Sequence, residues 1–530
     1  MTTERAVRRP VVEERSRRPV RPVGLTGADA VIVAATLVAL ALRLYQMLRP
    51  GFLTGVDEYD DGVYFGSAVR LIHGVLPYRD FVLVHPPGIT LLLTPIALLT
   101  QSGGTAGGFA VARVVTALAG AAAVPVAGLM VRHRGALAAV AVCGILAVYP
   151  AGINAAHTVL LEPWLVLFCL LGAWAMFAGD EVSQSRRRLA WGGAAFGFAC
   201  AVKLWAVIPA LVALALCWRA ARRPGFLAGL RGAVLGFGLP VVPFVILAPS
   251  AFYRGVIVAQ LSRIDISRVP GVDRLDSLTG LSVFSGAGHA LVYLVSAAAV
   301  LVVAACLALA VARERRAPPA LDLFALLSAA IVLIAFLYPA DFYIHYSWFF
   351  APFGALSLGL ALSWAAAPTR WVSAVLAVVA AAALVVPTVI QFHQLSQLSA
   401  GRPGDLARRQ IRPGACVLTD VIALAIISDR FVSTTPGCSN MVDPIGSDYA
   451  LSRGRNGVNG AGRTPAVQRL WLDAFRHADY VWLSCPPHSS PTCLTDRRIP
   501  WTPAVLGYFR AHFTPYRGRD ALRNLFVRRA

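Results

Sequence analysis

The chain has 530 residues, of which 57% are hydrophobic and 14% charged, and its mean hydropathy is +0.65. These values exclude a set of ordinary soluble domains, in which about a quarter of residues are charged, and indicate an integral membrane protein. The formal net charge is +21. Arginines cluster in short runs between apolar segments, a pattern that marks cytoplasmic loops rather than a nucleic-acid partner.

The first 28 residues are rich in arginine and poor in apolar side chains, which predicts a disordered basic cytoplasmic tail. They lack the short apolar segment and cleavage site of a signal peptide. The first apolar run, residues 29–48, is long enough to cross the hydrocarbon core. We therefore expect an anchor whose N-terminus lies in the cytoplasm.

Apolar runs separated by arginine-rich connectors predict a polytopic α-helical membrane domain over residues 29–390, with about eleven transmembrane helices. The predicted spans are residues 29–48, 107–131, 136–152, 158–178, 189–202, 204–218, 231–249, 288–312, 319–338, 347–365 and 371–390. This odd number places residues 391–530 outside the cytoplasm and requires residues 91–101 not to cross. Two external loops, residues 50–106 and 250–285, exceed what a connection needs, and long ordered loops are usually functional.

Residues 391–530, the tail domain, are more polar than the membrane domain and alternate short β-like runs with amphipathic helical stretches. The β-like runs are Val417–Thr419, Tyr480–Leu483 and Leu525–Val527, and the clearest helical stretch is Ala466–Phe475. This alternation predicts a small extracytoplasmic α/β domain.

Four of the nine cysteines lie in the tail domain, at Cys416, Cys438, Cys485 and Cys493. Four cysteines in an external domain indicate two disulfides, whose pairing the sequence leaves open. Cys485 and Cys493 flank a loop short enough to close locally. Four free thiols are the alternative.

The first external loop begins with an unusual density of carboxylates: Asp57, Glu58, Asp60 and Asp61 lie within five residues of one another. Like charges this close raise some of the pKa values unless a cation, a metal or a positioned substrate offsets the repulsion. The segment therefore predicts a functional site. A solvated acidic turn is the alternative.

Three further motifs follow in this loop: Gly-Val-Tyr ending at Tyr64, Pro-Tyr-Arg-Asp-Phe containing Arg79, and His-Pro-Pro beginning at His85. A short amphipathic helix is predicted from Gly66 to Gly74. This order resembles the first external loop of the polyprenyl-phosphate-sugar-dependent glycosyltransferases of the GT-C superfamily. It is most similar to the branch of bacterial protein O-mannosyltransferase-like and lipid A aminoarabinose transferase-like enzymes, and the resemblance covers the first seven spans best.

The resemblance implies that Asp60 is the catalytic base or positions the acceptor. Asp61 stands where many relatives have Glu, and Asp57 is the second choice for the catalytic carboxylate. His85 is implied to shape the floor of the donor and acceptor site, with Tyr64 and Arg79 as further substrate-binding residues. A purely structural role for His85 at a loop-to-helix junction is the alternative.

Lys203 is the only lysine in the chain and stands between two apolar runs of about 14 residues each. An ammonium in such surroundings costs at least ~2.5 kcal/mol on insertion scales unless an anion pairs with it. If the two runs form a hairpin, its tip would meet a lipid monophosphate at the external face. Relatives often carry a lysine after a small-residue helix, here Gly192–Gly197. A snorkelling lysine without a ligand is the alternative.

Four other residues are weaker candidates. Arg254 and Arg263 lie in the second external loop and suit phosphate binding, although exposed arginines also serve solubility. Glu162 matches a position that in relatives helps to hold the acceptor or a divalent metal, and a helix N-terminal carboxylate is an equal interpretation. His345 lies at a polar-aromatic turn that can also be an interfacial belt. One carboxylate does not make a metal site, so no cofactor is assigned and a divalent metal stays open.

We expect an inverting glycosyltransferase that moves a sugar from a polyprenyl monophosphate to a cell-envelope glycan, lipoglycan or protein at the outer face of the cytoplasmic membrane. Mannose or arabinose is favoured by analogy, because arginine in place of lysine indicates a high-GC, actinobacterial genome. No nucleotide phosphate-binding loop occurs, which argues against a nucleotide-sugar donor. The alternatives are a secondary transporter, which predicts an internal symmetry that the sequence lacks, and a non-catalytic envelope-assembly protein with a glycan-binding tail.

Overall fold

The computed structural model describes residues 26–262, 268–284, 288–315, 317–338, 341–366, 370–401, 403–452, 464–487, 498–517 and 522–529. In this part of the chain, seven helices are long and apolar enough to cross a membrane: Gly27–Met47, Thr100–Arg134, Arg222–Leu247, His289–Leu309, Ala320–Leu337, Ile344–Ala365 and Trp371–Gln397. The protein is therefore a polytopic α-helical membrane protein, as predicted.

Three segments predicted as spans form shorter helices, Glu162–Met176, Arg186–Val202 and Val207–Ala220. The longest has 17 residues, which at about 1.5 Å per residue is shorter than the ~30 Å hydrocarbon core. Every predicted span thus contains a helix, while the number that cross stays a prediction. The helix Gly88–Ala97 has ten residues and accounts for most of the segment predicted not to cross.

The predicted span 136–152 is bent, because it consists of the two helices Ala136–Val148 and Pro150–Ala156, which meet at an angle of 51°. Proline cannot donate a backbone hydrogen bond and forces the preceding residue out of the helical region, and Tyr149 has ψ 118°. The carbonyls freed by this break are satisfied by two side chains of other spans. Arg43 donates to the carbonyls of residues 146 and 147 at 3.2 and 3.1 Å, and Gln391 donates to that of Val148.

The helices Arg186–Val202 and Arg222–Leu247 approach closely along a line of small residues. A Cβ atom on Gly193 would overlap the carbonyl of Gly229, and one on Gly197 would overlap the carbonyl of Ala233. Close backbone approach through small residues is the usual means by which membrane helices associate. The small-residue stretch before Lys203 therefore packs two helices together.

The membrane domain also contains short connecting helices, and a two-stranded hairpin joins the helices Glu162–Met176 and Arg186–Val202. These short helices are Pro249–Phe252, Ala259–Leu261 and Gly271–Thr279. The hairpin consists of β1, Phe177–Ala178, and β2, Glu181–Val182.

The tail domain is an α/β unit, as predicted, with a four-stranded sheet in the order β3-β4-β6-β5. The strands are β3 Val417–Thr419, β4 Tyr480–Trp482, β5 Phe513–Pro515 and β6 Leu525–Arg528. The β3–β4 pair is parallel and the other two pairs are antiparallel. The helices are Pro403–Gln410, Ile422–Ile427, Pro444–Ser452, Pro465–His477 and Pro503–His512. Strand β5 was not predicted.

A disulfide joins Cys416 to Cys438, which confirms one of the two expected in the tail domain. Cys485 is also disulfide-bonded, and Cys493 lies outside the described residues. The five cysteines of the apolar helices are buried free thiols.

The tail domain rests directly on the first external loop. The tail domain contacts the helix Tyr59–Ile72 of this loop, here called the acidic helix. The acidic helix begins seven residues before the helix predicted at Gly66. A Cβ atom on Gly62 would overlap the backbone of Ala423 in the tail. The hydroxyl of Tyr59 donates to Asp443 at 2.9 Å. The tail domain thus holds the start of the acidic helix in place.

Candidate active site

Three of the predicted site residues meet at the start of the acidic helix. The hydroxyl of Tyr64 donates to Oδ2 of Asp60, one helical turn earlier, at 3.3 Å. The Tyr64 ring packs edge-on against the imidazole of His85, with centroids 5.5 Å apart. Tyr78 donates to the His85 carbonyl at 2.6 Å and so holds the His-Pro-Pro turn against this helix. Asp60 is only partly buried, whereas the neighbouring Asp61 is fully buried.

The neighbouring carboxylate, Asp61, lies in a different environment. It forms an ion pair of 2.5 Å with Arg113, and the two side chains are 0% and 1% exposed. Arg113 also donates to the carbonyls of Phe52 and Leu53. Asp61 therefore ties the acidic helix to a membrane helix, and Asp60 is the carboxylate of the pair that can reach a substrate. Arg113 is the single arginine inside the apolar run 107–131, and an isolated cation in such a run is the sequence signal for a buried ion pair.

Asp57 and Glu58 precede the acidic helix and retain exposed surface. Partial desolvation raises the pKa of Asp57. The same cause, together with the charges of the neighbouring aspartates, raises the pKa of Glu58 to about 7. Glu58 therefore exchanges its proton near neutral pH.

The anion expected beside Lys203 is the carboxylate of Glu162. Lys203 ends the helix Arg186–Val202 in an extended conformation, and its Nζ donates to Oε1 of Glu162 at 2.6 Å. The side chains are 7% and 1% exposed. The ammonium also lies over two aromatic rings, 3.7 Å from the centroid of Trp205 and 4.2 Å from that of Tyr346. The protein itself thus supplies an anion that pairs with Lys203.

His345 connects the two groups of residues. Its Nε2 lies 3.9 Å from Oε1 of Glu162. Glu162, Lys203 and Asp60 are the charged groups whose electrostatic field reaches its imidazole. His345, a weak candidate in the sequence, therefore lies beside the buried ion pair and within the electrostatic reach of Asp60.

A cavity of about 610 Å³, here called the lysine cavity, opens beside Lys203. Its wall is mainly apolar, and it includes His85, Trp205 and Tyr346. The second external loop contributes Gln260, whose side chain donates to the carbonyl of Val84 at 2.5 Å. One cavity therefore joins the His-Pro-Pro turn to the buried ammonium.

The structure connects the predicted arginines less directly with the candidate site. Arg79 is exposed and pairs with Asp80 at 2.8 Å. Arg254 lies in a π-helical turn just before Val256 and Ile257, which line the lysine cavity. Arg263 lies outside the described residues. Within the described part of the chain, no three His, Cys, Asp or Glu side chains are grouped to hold a metal ion.

Comparison with known proteins gives one family match. Residues 83–338, just under half of the chain, match the sequence model of Glycosyltransferase family 87. A search of curated proteins finds no match.

Solved structures share the fold at low sequence identity. The oligosaccharyltransferase of Archaeoglobus fulgidus, tethered to an acceptor peptide, has a TM-score of 0.54 and 14% identity, covering 94% of this chain and 75% of its own. ArnT from Cupriavidus metallidurans in the apo state has a TM-score of 0.53 and 17% identity, covering 89% of this chain and 95% of its own. Together with the family match, this likeness confirms the GT-C resemblance predicted from the first external loop.

Proposed function

We propose that this GT-C glycosyltransferase takes a sugar from a polyprenyl monophosphate and transfers it to an acceptor hydroxyl at the outer face of the membrane. One observation carries the proposal: the buried ammonium of Lys203 lies at a mainly apolar cavity whose wall continues to His85, beside Asp60. An isoprenoid phosphate has the same division into an apolar chain and an anionic head. The cavity volume of about 610 Å³ is within the range of ligand sites.

The donor class is also supported by a structural neighbour. AglB from Archaeoglobus fulgidus was solved with an inhibitory peptide and a dolichol-phosphate, and its TM-score to this chain is 0.54. For this chain we infer the corresponding class, a polyprenyl monophosphate that bears a sugar. Mannose and arabinose are the favoured sugars, and an envelope glycan, lipoglycan or protein is the acceptor.

The proposed reaction is a single inverting displacement. The acceptor oxygen attacks the anomeric carbon while Asp60 takes or orients its proton. The bond from that carbon to the phosphate oxygen breaks, and polyprenyl monophosphate leaves with the bonding electrons. General-base assistance of this kind contributes about 10²–10⁴-fold in rate.

Lys203 is assigned to the phosphate that leaves. A fixed cation in a mainly apolar cavity stabilises growing negative charge more strongly than the same cation in water. Glu162 holds the ammonium in position, and the aromatic rings of Trp205 and Tyr346 shield it from solvent. Glu162 and His345 are thus positioning residues.

The test uses purified protein, polyprenyl-phosphate sugars with a radiolabel in either mannose or arabinose, and an envelope extract as acceptor. Asp60→Asn should lower transfer by about 10²-fold or more while the melting temperature stays that of the wild type. Asp473→Asn is the matched control, because that side chain is 66% exposed on the tail domain. Full transfer by Asp60→Asn would remove Asp60 from the mechanism, and no release of label from either lipid by the wild type would reject the proposed donor sugars.

A further inference from the structure

A second cavity, of about 710 Å³, opens between the first external loop and the tail domain, and we call it the tail cleft. Asp57 lines it from the loop, and Ser399 and Gly401 line it from the segment that leads into the tail. Trp482, Ser484 and Asn524 line it from the tail sheet. Its volume lies within the range of about 300–1,000 Å³ typical of ligand sites.

The polar groups of the tail cleft are held by contacts beneath it. The hydroxyl of Ser484 donates to Oδ2 of Asp420 at 2.5 Å, and the Asp420 side chain is buried. Arg498 donates to the same hydroxyl at 2.5 Å. Asn524 donates to the Ser484 carbonyl at 3.5 Å and has a positive φ of 66°, which asparagine tolerates well. The end of strand β4 thus presents an ordered polar edge.

The lining alternates polar and apolar groups. A carboxylate, hydroxyls and a carboxamide stand beside the apolar side chains of Phe52, Leu406 and Leu424. A sugar has the same two kinds of surface, because its hydroxyls form a polar rim around faces of C–H groups. Arg523 adds a guanidinium to this lining, and guanidinium groups also donate hydrogen bonds to hydroxyl oxygens. A purely apolar chain would leave these polar groups without partners.

The tail cleft borders the carboxylate-rich start of the first external loop. Asp57 lines it, and Asp60, three residues later, reaches the wall of the lysine cavity through Tyr64 and His85. Residues 57–60 therefore contact the tail cleft directly and the lysine cavity through Tyr64 and His85. In an inverting displacement the acceptor must approach from the face opposite the leaving phosphate.

We propose that the tail cleft binds the acceptor, that this acceptor is a saccharide chain, and that the tail domain selects it. The inference rests on the proposed function and narrows the acceptor to a glycan or glycan-bearing molecule.

The test fills the cleft without touching the lysine cavity. A Cβ atom on Gly401 would meet only the Pro403 ring, at 3.8 Å, so Gly401→Trp places an indole in the cleft without a backbone clash. The matched control is Gly507→Trp, whose Cβ would meet nothing within 4 Å on another face of the tail domain. Asn524→Gly is a second, milder variant that removes the carboxamide and keeps the backbone conformation.

Gly401→Trp should raise the KM for fractionated envelope glycan at least tenfold and leave the KM for the lipid donor unchanged. Asn524→Gly should raise the acceptor KM severalfold, and Gly507→Trp should match the wild type. An unchanged acceptor KM in Gly401→Trp, in protein with a wild-type melting temperature, would overturn the inference while leaving the transferase activity intact.

If the wild type transfers no sugar, the proposed function fails, and equilibrium binding tests the cleft separately. Manno- and arabino-oligosaccharides and the fractionated envelope glycan should then bind the wild type and Gly507→Trp but not Gly401→Trp. Equal binding by all three proteins, or binding by none, would reject the tail cleft as a saccharide site.

Discussion

Replacing Lys203 with methionine should destabilise the membrane domain by about 3–5 kcal/mol, because it leaves the Glu162 carboxylate buried without its cation. The N–O distance is 2.6 Å and the Glu162 side chain is 1% exposed, so the variant removes the closest cation from a buried carboxylate. Glu162→Gln should cost less, since the ammonium keeps the ring faces of Trp205 and Tyr346. The double variant removes both charges and should lose less than the sum of the single losses.

The assay is unfolding in detergent, followed by tryptophan fluorescence as denaturant is added, for the wild type, the two single variants and the double variant. The coupling energy of such a cycle for residues in contact is about 0.5–3 kcal/mol, and we expect the upper half of that range. Binding of polyprenyl monophosphate is measured on the same four proteins. Compared with Lys203→Met, the double variant should regain stability. It should not regain phosphate binding, because the cation is still missing.

Additive losses of stability would show that Lys203 and Glu162 do not depend on each other, contrary to the structure. Recovery of phosphate binding in the double variant would show that Lys203 serves only as the partner of Glu162. The assignment of Lys203 to the donor phosphate would then be withdrawn.

Two further predictions concern packing and pH. Gly193→Leu should destabilise the protein or prevent its folding, because the new side chain would displace the helix that carries Gly229. Gly103→Leu, at an open position, is the control. Equal melting temperatures of the two variants would contradict the close contact of the helices. The folded-state pKa of Glu58 is raised from 4.5 to about 7, so the folded protein binds this proton more tightly than the unfolded chain does. Stability should therefore fall as the pH rises from about 4.5 to about 7, and Glu58→Gln should flatten that part of a melting-temperature profile; an unchanged slope would remove Glu58 as its cause.

Much of the fold could be predicted from local sequence. Long apolar runs become helices because the bilayer offers no partner for unpaired backbone groups. The β-like runs of the tail domain became strands β3, β4 and β6, with bounds that differ by one residue at most. Strand β5 and the break before Pro150 were missed. The first is a short strand that forms by pairing with β6, and the second needed Arg43 and Gln391 from distant spans to satisfy the freed carbonyls.

The candidate site was also only partly predictable from the sequence. Asp60, Tyr64 and His85 lie within 26 residues, and their order along the chain was enough to predict that they act together. The sequence signalled that Arg113 and Lys203 need partners but not which carboxylates they meet, because Arg113 follows Asp61 by 52 residues and Lys203 follows Glu162 by 41. Which of several carboxylates a buried cation meets depends on how the helices pack, and the pairing in turn leaves Asp60 as the accessible carboxylate.

The amino-acid sequence by itself determined the membrane class, the positions of most helices, the appended α/β domain and the carboxylate-rich first external loop. These follow from hydropathy, periodicity and local order, which are properties of neighbouring residues. Only the tertiary structure decided that Glu162 holds Lys203, that His345 lies beside this pair, and that the tail domain forms a second cavity with the first external loop. Burial makes an unpaired charge costly, and it is the packing of segments distant in sequence that determines which charges are buried together.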